Sequence, residues 1–184
     1  MTAGKAFIFI NEEQAAGFGH IGWGFQLSAD SFYFGSTDHL WRTDYPLWHP
    51  LELLRYMNVN SRENNDYWSN CGSLSEMLET MRRGPHVRYH LFKTIDVAEV
   101  NPLVARGCAD SMSRNGWNIV SNNCVHQTFS IVTTFGASLP SPYKIANLFP
   151  KSWFAAIEAE TSVLEPSSGR VILPSTAHRR RRAG

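Results

Sequence analysis

The chain has 184 residues and a near-even charge balance, 17 Lys and Arg against 16 Asp and Glu, with 43% hydrophobic residues. That is enough for one domain with a real core and too short for two comfortable ones. A net charge of +1 excludes a protein drawn by its bulk electrostatics to nucleic acid or to an anionic membrane, and the one basic run, Arg179-Arg180-Arg181-Arg182, reads as a solvated tail.

In chain order, residues 5–10 are an apolar run too short for a secretory leader and read as a first buried strand. After a glycine-rich loop, residues 19–27 alternate strictly. Ile21, Trp23, Phe25 and Leu27 share one face, and His20, Gly22, Gly24 and Gln26 the other, the period of a strand. Glycines inside a strand mark the close approach of another backbone, so this face is expected to receive the end of a helix. A turn at Ser28-Ala29-Asp30 leads to a strand at 31–37. Residues 39–70 are an aromatic-rich insertion with a short helix at 51–56. Trp41, Tyr45, Trp48, Tyr56, Tyr67 and Trp68 are either a ligand-binding wall or the insertion's own small core.

Helical spacing of Leu74, Met77, Leu78 and Met81 before Gly84 predicts a helix at 73–83. A strand at 87–95 and a helix at 102–115 follow, then an extended stretch at 116–120. Asn122 and Asn123 are good helix-capping residues, and Val125, Phe129 and Val132 recur at helical spacing before Gly136. The predicted helix therefore begins at Cys124. A short amphipathic stretch at 153–157 ends the domain, which spans 1–158, and 159–184 reads as a loosely ordered basic tail.

A thiol in the first turn of a helix feels the partial positive charge of the helix N-terminus, which favours the nucleophilic thiolate. A small buried core cysteine is the plainer alternative. Cys71, Cys108 and Cys124 are odd in number and lack C-x-x-C spacing, so neither a disulfide framework nor a zinc ribbon is indicated. No metal site is indicated by the spacing of its ligand-type residues, and no glycine-rich loop opens a helix as a phosphate site would. Neither metal nor cofactor is expected. No segment reaches transmembrane length, and with no leader recognised the chain is read as cytoplasmic, export by a route without a cleaved signal remaining open.

Pairing of the second and third strands sets a third polar residue. A three-residue loop puts Leu27 opposite Ser31, Gly22 opposite Ser36 and His20 opposite Asp38. A carboxylate there can fix the tautomer and orientation of the imidazole. A different loop length substitutes Thr37 or His39, Ser36 is a further alternative, and Asp38 itself can be a turn residue that only ends the strand.

The Gly19-His20-Ile21-Gly22-Trp23 strand, the Phe32-Tyr33-Phe34-Gly35 strand and the later Asn123-Cys124-Val125-His126 run resemble the circularly permuted NlpC/P60 proteins. These are papain-like thiol enzymes that include the lecithin:retinol acyltransferase group, and in them the histidine strand precedes the cysteine helix, as here. The likeness covers about residues 5–40 and 116–150. It departs from the Asn-Cys-Glu-His form of the acyltransferase branch at Val125. The resemblance implies an α+β papain-like domain, an antiparallel sheet packed against the cysteine helix. It also implies that the third polar residue comes from the strand after the histidine.

Together these features predict Cys124 as nucleophile, His20 as base and Asp38 as its orienter, with the Cys124 N–H as oxyanion donor and Asn122 or Gln127 as side-chain additions. His126, two residues on, points away from Cys124 on a helix and reads as packing. The expected activity is hydrolysis of an amide bond in a peptide, an isopeptide or a cell-wall peptide. The partners are then a peptide or protein conjugate, peptidoglycan among the candidates, with no specific nucleic acid and no stable membrane anchor. A lipid acyltransferase or thioesterase of the same fold, and a non-catalytic binding module, are the alternatives.

Overall fold

The computed structural model describes residues 2–38, 58–59, 66–84 and 88–164. Six strands make one antiparallel sheet: β1 (Gly4–Asn11), β2 (His20–Ser28), β3 (Ser31–Thr37), β5 (Tyr67–Gly72), β6 (Leu91–Val97) and β8 (Thr161–Val163). Their spatial order is β5-β3-β2-β1-β6-β8. Two further short strands, β4 (Asn58–Val59) and β7 (Trp117–Asn118), pair with each other. The helices are α1 (Leu74–Arg83), α2 (Pro102–Met112), α3 (Cys124–Phe135) and α4 (Pro150–Ala156). The chain is thus α+β with a wholly antiparallel main sheet.

Both faces of the sheet are buried, and strand alternation assigns them. Ala6, Ile8, Ile10, Ile21, Trp23, Phe25 and Tyr33 pack with Ala105 and Ala109 of α2, Val125 and Phe135 of α3, and Trp153 of α4. Phe7, Phe9, Phe32 and Phe34 look the other way, onto Met77 and Met81 of α1 and onto Tyr89. Each large apolar side chain taken fully from water contributes about 1.5–3 kcal/mol, so the larger cluster fixes where α3 lies.

The glycine face therefore receives a different helix from the one expected. A Cβ at Gly22 would stand 2.5 Å from Met81 Cε, and one at Gly24 2.6 Å from Met77 Sδ. The glycines make room for the methionines of α1. The cysteine helix covers the opposite face because Ile21, Trp23 and Phe25 offer it far more apolar area. Glycine spacing announces a close neighbour without naming it.

The β2–β3 register agrees with the sequence expectation from Trp23↔Gly35 through Gln26↔Phe32. It departs at the turn, where Ser31 pairs with Ser28, not Leu27, across a register shift between Gln26 and Ser28. The bulge absorbs one residue, so the distal half of the hairpin keeps its pairing. Several boundaries also move, the strand expected at 87–95 running from Leu91 to Val97 and the helix expected at 102–115 ending at Met112. Residues 67–70, assigned to the insertion, begin β5 and pair with β3, and residues 161–163, assigned to the tail, form β8 on β6. The expected helix at 51–56, residues 39–57 and 60–65 of the insertion, and tail residues 165–184 lie outside the described residues.

Candidate active site

His20 is the first residue of β2 and Cys124 the first of α3. Both are almost fully buried, at 7% and 6% exposure. Although α3 packs on the face opposite the His20 side chain, the two meet at the end of the sheet, where Cys124 is near enough to the imidazole to act on its charge. The helix start is held by local chemistry. Asn123 Oδ1 accepts from the Val125 and His126 N–H groups, at 2.9 and 3.3 Å, capping the orphan donors of the first turn. Thr37 Oγ1 donates to Gln127 Oε1 at 2.6 Å, which ties that turn to the end of β3.

Asp38 follows β3 directly and is wholly inaccessible. Its Oδ1 lies 3.0 Å from His20 Nε2. An ionised carboxylate can only accept, so Nε2 carries the hydrogen and Nδ1 is left as the ring nitrogen available to the thiol. Ser36 Oγ stands 3.1 Å from the same Nε2 and donates onward to the Ile21 carbonyl. Of the alternatives to Asp38, Ser36 shares the contact, Thr37 is committed to Gln127 on the other face, and His39 lies outside the described residues.

Two groups not foreseen from the sequence complete the surroundings of the carboxylate. Trp68 Nε1 donates to Asp38 Oδ2 at 2.5 Å, and Tyr89 Oη donates to Oδ1 at 3.0 Å. Trp68 sits opposite Ser36 in the β3–β5 ladder, so its side chain shares the face of Ser36 and Asp38. The clue available in the sequence was physical: a buried carboxylate needs donors, and aromatic N–H and O–H groups are natural ones in an apolar layer.

Burial works against the charged form of His20, but the Cys124 charge, the hydrogen bonds to Asp38 and Cys124, and the Asp38 charge outweigh it and raise the pKa to about 10. Burial likewise opposes the Asp38 carboxylate. The bond and charge of His20, with the Ser36 and Trp68 bonds, overcome it and hold the carboxyl below its usual range. Burial and the adjacent carboxylate push the Tyr89 hydroxyl up, which keeps it protonated and donating. The arrangement favours a protonated His20 beside the Asp38 carboxylate.

The side-chain oxyanion donors proposed from sequence are otherwise engaged. Asn122 Nδ2 donates to the carbonyls of Asn115 and Gly116, and Gln127 Nε2 to those of Gly116 and Asn122. Both brace the loop that enters α3, and the Val125 and His126 N–H groups are taken by the Asn123 cap, so of the donors expected from sequence the Cys124 N–H remains. His126 donates from Nδ1 to Asn123 Oδ1 at 2.9 Å and lies against the Tyr143 ring. Burial lowers its pKa. It is a neutral packing and capping residue, as its spacing from Cys124 predicted.

No family model, curated protein or solved structure matches the chain. Among the described residues no group of three or more His, Cys, Asp or Glu side chains is gathered to hold a metal ion, and no helix is long and apolar enough to cross a membrane. A cavity of about 400 Å³ is lined by Ala3, Gly4, Lys5, Gln26, Asp96, Val97 and Ala98. It opens at the far end of β2 from His20.

Proposed function

We propose that the chain is a cysteine hydrolase of the permuted papain-like kind, acting on an amide bond in a peptide, isopeptide or cell-wall peptide. The observation that carries this is the position of His20, bonded through Nε2 to a buried carboxylate and neighboured by a thiol at a helix start. His20 Nδ1 takes the thiol proton and Cys124 Sγ attacks the carbonyl carbon. The Cys124 N–H receives the charge that develops on its oxygen. As the tetrahedral intermediate collapses, the C–N bond breaks and the imidazolium gives its proton to the departing amine. Water, deprotonated by His20, then attacks the thioester, and the acid leaves as the thiol is restored. The resemblance to NlpC/P60 proteins in residues 19–35 and 123–126 supports the same reading.

Iodoacetamide tests it directly. Cys71 is exposed, Cys108 is half-buried with its thiol pushed up by burial, and Cys124 is buried. Accessibility alone would label Cys71 first; activation by His20 and the helix start predicts Cys124 first near neutral pH. Slower labelling of Cys124 than of Cys71 would favour the binding module.

One observation favours a lipid acyltransferase or thioesterase as the second reading. Phe18 and Phe149, both half-exposed and stacked 4.8 Å apart, lead directly into β2 and α4, and Val120 stands exposed just before α3. Such groups suit an apolar acyl chain. Parallel assays on peptidoglycan fragments, ubiquitin-like conjugates and lipid esters separate the two, and turnover of lipid esters alone would reverse the ranking.

A further inference from the structure

Within that proposed site, we propose that Trp68 is a positioning residue: its indole N–H holds the Asp38 carboxylate in the orientation that fixes His20 for Cys124. The first observation is the division of labour on the carboxylate. His20 and Tyr89 share Oδ1, while the only side-chain donor to Oδ2 among the described residues is Trp68. With Asp38 wholly inaccessible, solvent cannot replace that bond.

The second observation is that the indole is itself built into place. Trp68 belongs to β5, and its ring meets Phe34 edge-on with centroids 6.4 Å apart. β5 runs unusually close to β3 here, since a Cβ at Gly35 would overlap the Trp68 carbonyl oxygen. The absence of a side chain at Gly35 thus sets the approach of the strand that delivers the indole. A tryptophan used only as apolar filler needs neither the close approach nor an N–H aimed at a carboxylate.

Without the Trp68 hydrogen bond, Oδ2 either takes a proton or turns toward another donor. Protonation removes the negative charge that supports the imidazolium, and rotation breaks the His20 contact. Both lower the affinity of His20 for its proton. Among the described residues the titratable groups facing the His20–Asp38 pair are Cys124 from α3 and Tyr89 from the segment entering β6, and neither is altered by a change at residue 68.

The experiment follows His20 by NMR of histidine-labelled protein across pH, alongside kcat and KM on whichever substrate is turned over. It compares the native chain with Trp68→Phe and with a chain carrying a benzothiophene analogue of tryptophan at 68, which keeps the ring shape and lacks only the N–H. In the native chain His20 should titrate near 10. In both variants we expect a fall of about one pH unit or more, with kcat reduced about tenfold and KM little changed. A folded benzothiophene variant with an unchanged His20 midpoint would overturn the role of Trp68 and leave the Cys-His-Asp reading standing. A native His20 midpoint near the ordinary histidine value would overturn both.

Discussion

Replacing Asp38 by asparagine exchanges one oxygen for an amide nitrogen, and the donors around the carboxylate decide the outcome. His20 Nε2 and Tyr89 Oη each lie 3.0 Å from Oδ1, and Trp68 Nε1 lies 2.5 Å from Oδ2. If the amide oxygen keeps the Oδ1 position, the amide NH2 faces the indole N–H with nothing to accept. An unmatched buried donor costs about 1–3 kcal/mol. If the amide turns over, its oxygen accepts from Trp68 and its NH2 faces His20 and Tyr89. The tyrosine hydroxyl can rotate to accept, and His20 can accept once its hydrogen moves to Nδ1. That second arrangement gives the indole N–H and both amide hydrogens an acceptor and is favoured, yet it protonates the nitrogen that must take the proton of Cys124. Asp38→Asn should therefore stay folded, losing less than about 2 kcal/mol. Turnover should fall about a hundred- to a thousand-fold, less than the roughly 10⁴ of a serine triad because a thiolate is partly preformed at a helix start. Urea midpoints, kcat and ¹⁵N NMR of the histidine tautomer measure the three quantities. Full turnover, or a neutral His20 that carries its hydrogen on Nε2, would refute the reasoning.

The raised pKa of His20 also sets a pH window for stability. Its contribution is complete below the ordinary histidine value near 6.5 and is lost as pH rises through about 10, at up to about 1.4 kcal/mol per pH unit. The stability gap between the native chain and His20→Gln should narrow across that range, and a gap independent of pH would contradict it. Gly35→Ala should cost about 2–3 kcal/mol, because the new methyl meets the Trp68 backbone, whereas Gly24→Ala meets the flexible end of Met77 and should cost about 1 kcal/mol. Equal urea midpoints for the two would argue against a close β3–β5 approach. Ser73→Ala removes a reciprocal cap from α1, and Asn123→Ala removes the cap of α3. Each should cost about 1 kcal/mol, but only Asn123→Ala should slow iodoacetamide labelling of Cys124.

Much of the site was legible because strand alternation is a strict rule. Once residues 19–27 and 31–37 are read as a hairpin, pairing carries His20 to Asp38, and a bulge at the turn leaves that outcome unchanged. Capping chemistry likewise marks the start of α3 at Asn123 and Cys124. What was not legible depends on contacts distant in sequence. Trp68 reaches Asp38 only because β5 pairs with β3 after the intervening insertion, and Tyr89 reaches it from an irregular stretch before β6 with no periodicity to place it. Gly22 and Gly24 misdirected the assignment of their neighbour because a missing side chain records a tight fit and not its occupant. Asn122 and Gln127 looked like spare donors because a sequence does not reveal which loop carbonyls will claim an amide.

The His20–Asp38 contact closes within a single hairpin, whereas Cys124 comes to it from the far half of the chain. The imidazole and its carboxylate therefore owe their mutual geometry to β2 and β3, and Trp68 bonds the carboxylate from β5, with no help from Cys124. A descendant carrying Cys124→Ala would inherit the imidazole–carboxylate pair already formed and lose only the atom that attacks. Under the proposed function, one codon would separate a catalyst from a silent receptor for the same guest, and because the pair outlasts the loss, one codon would also lead back.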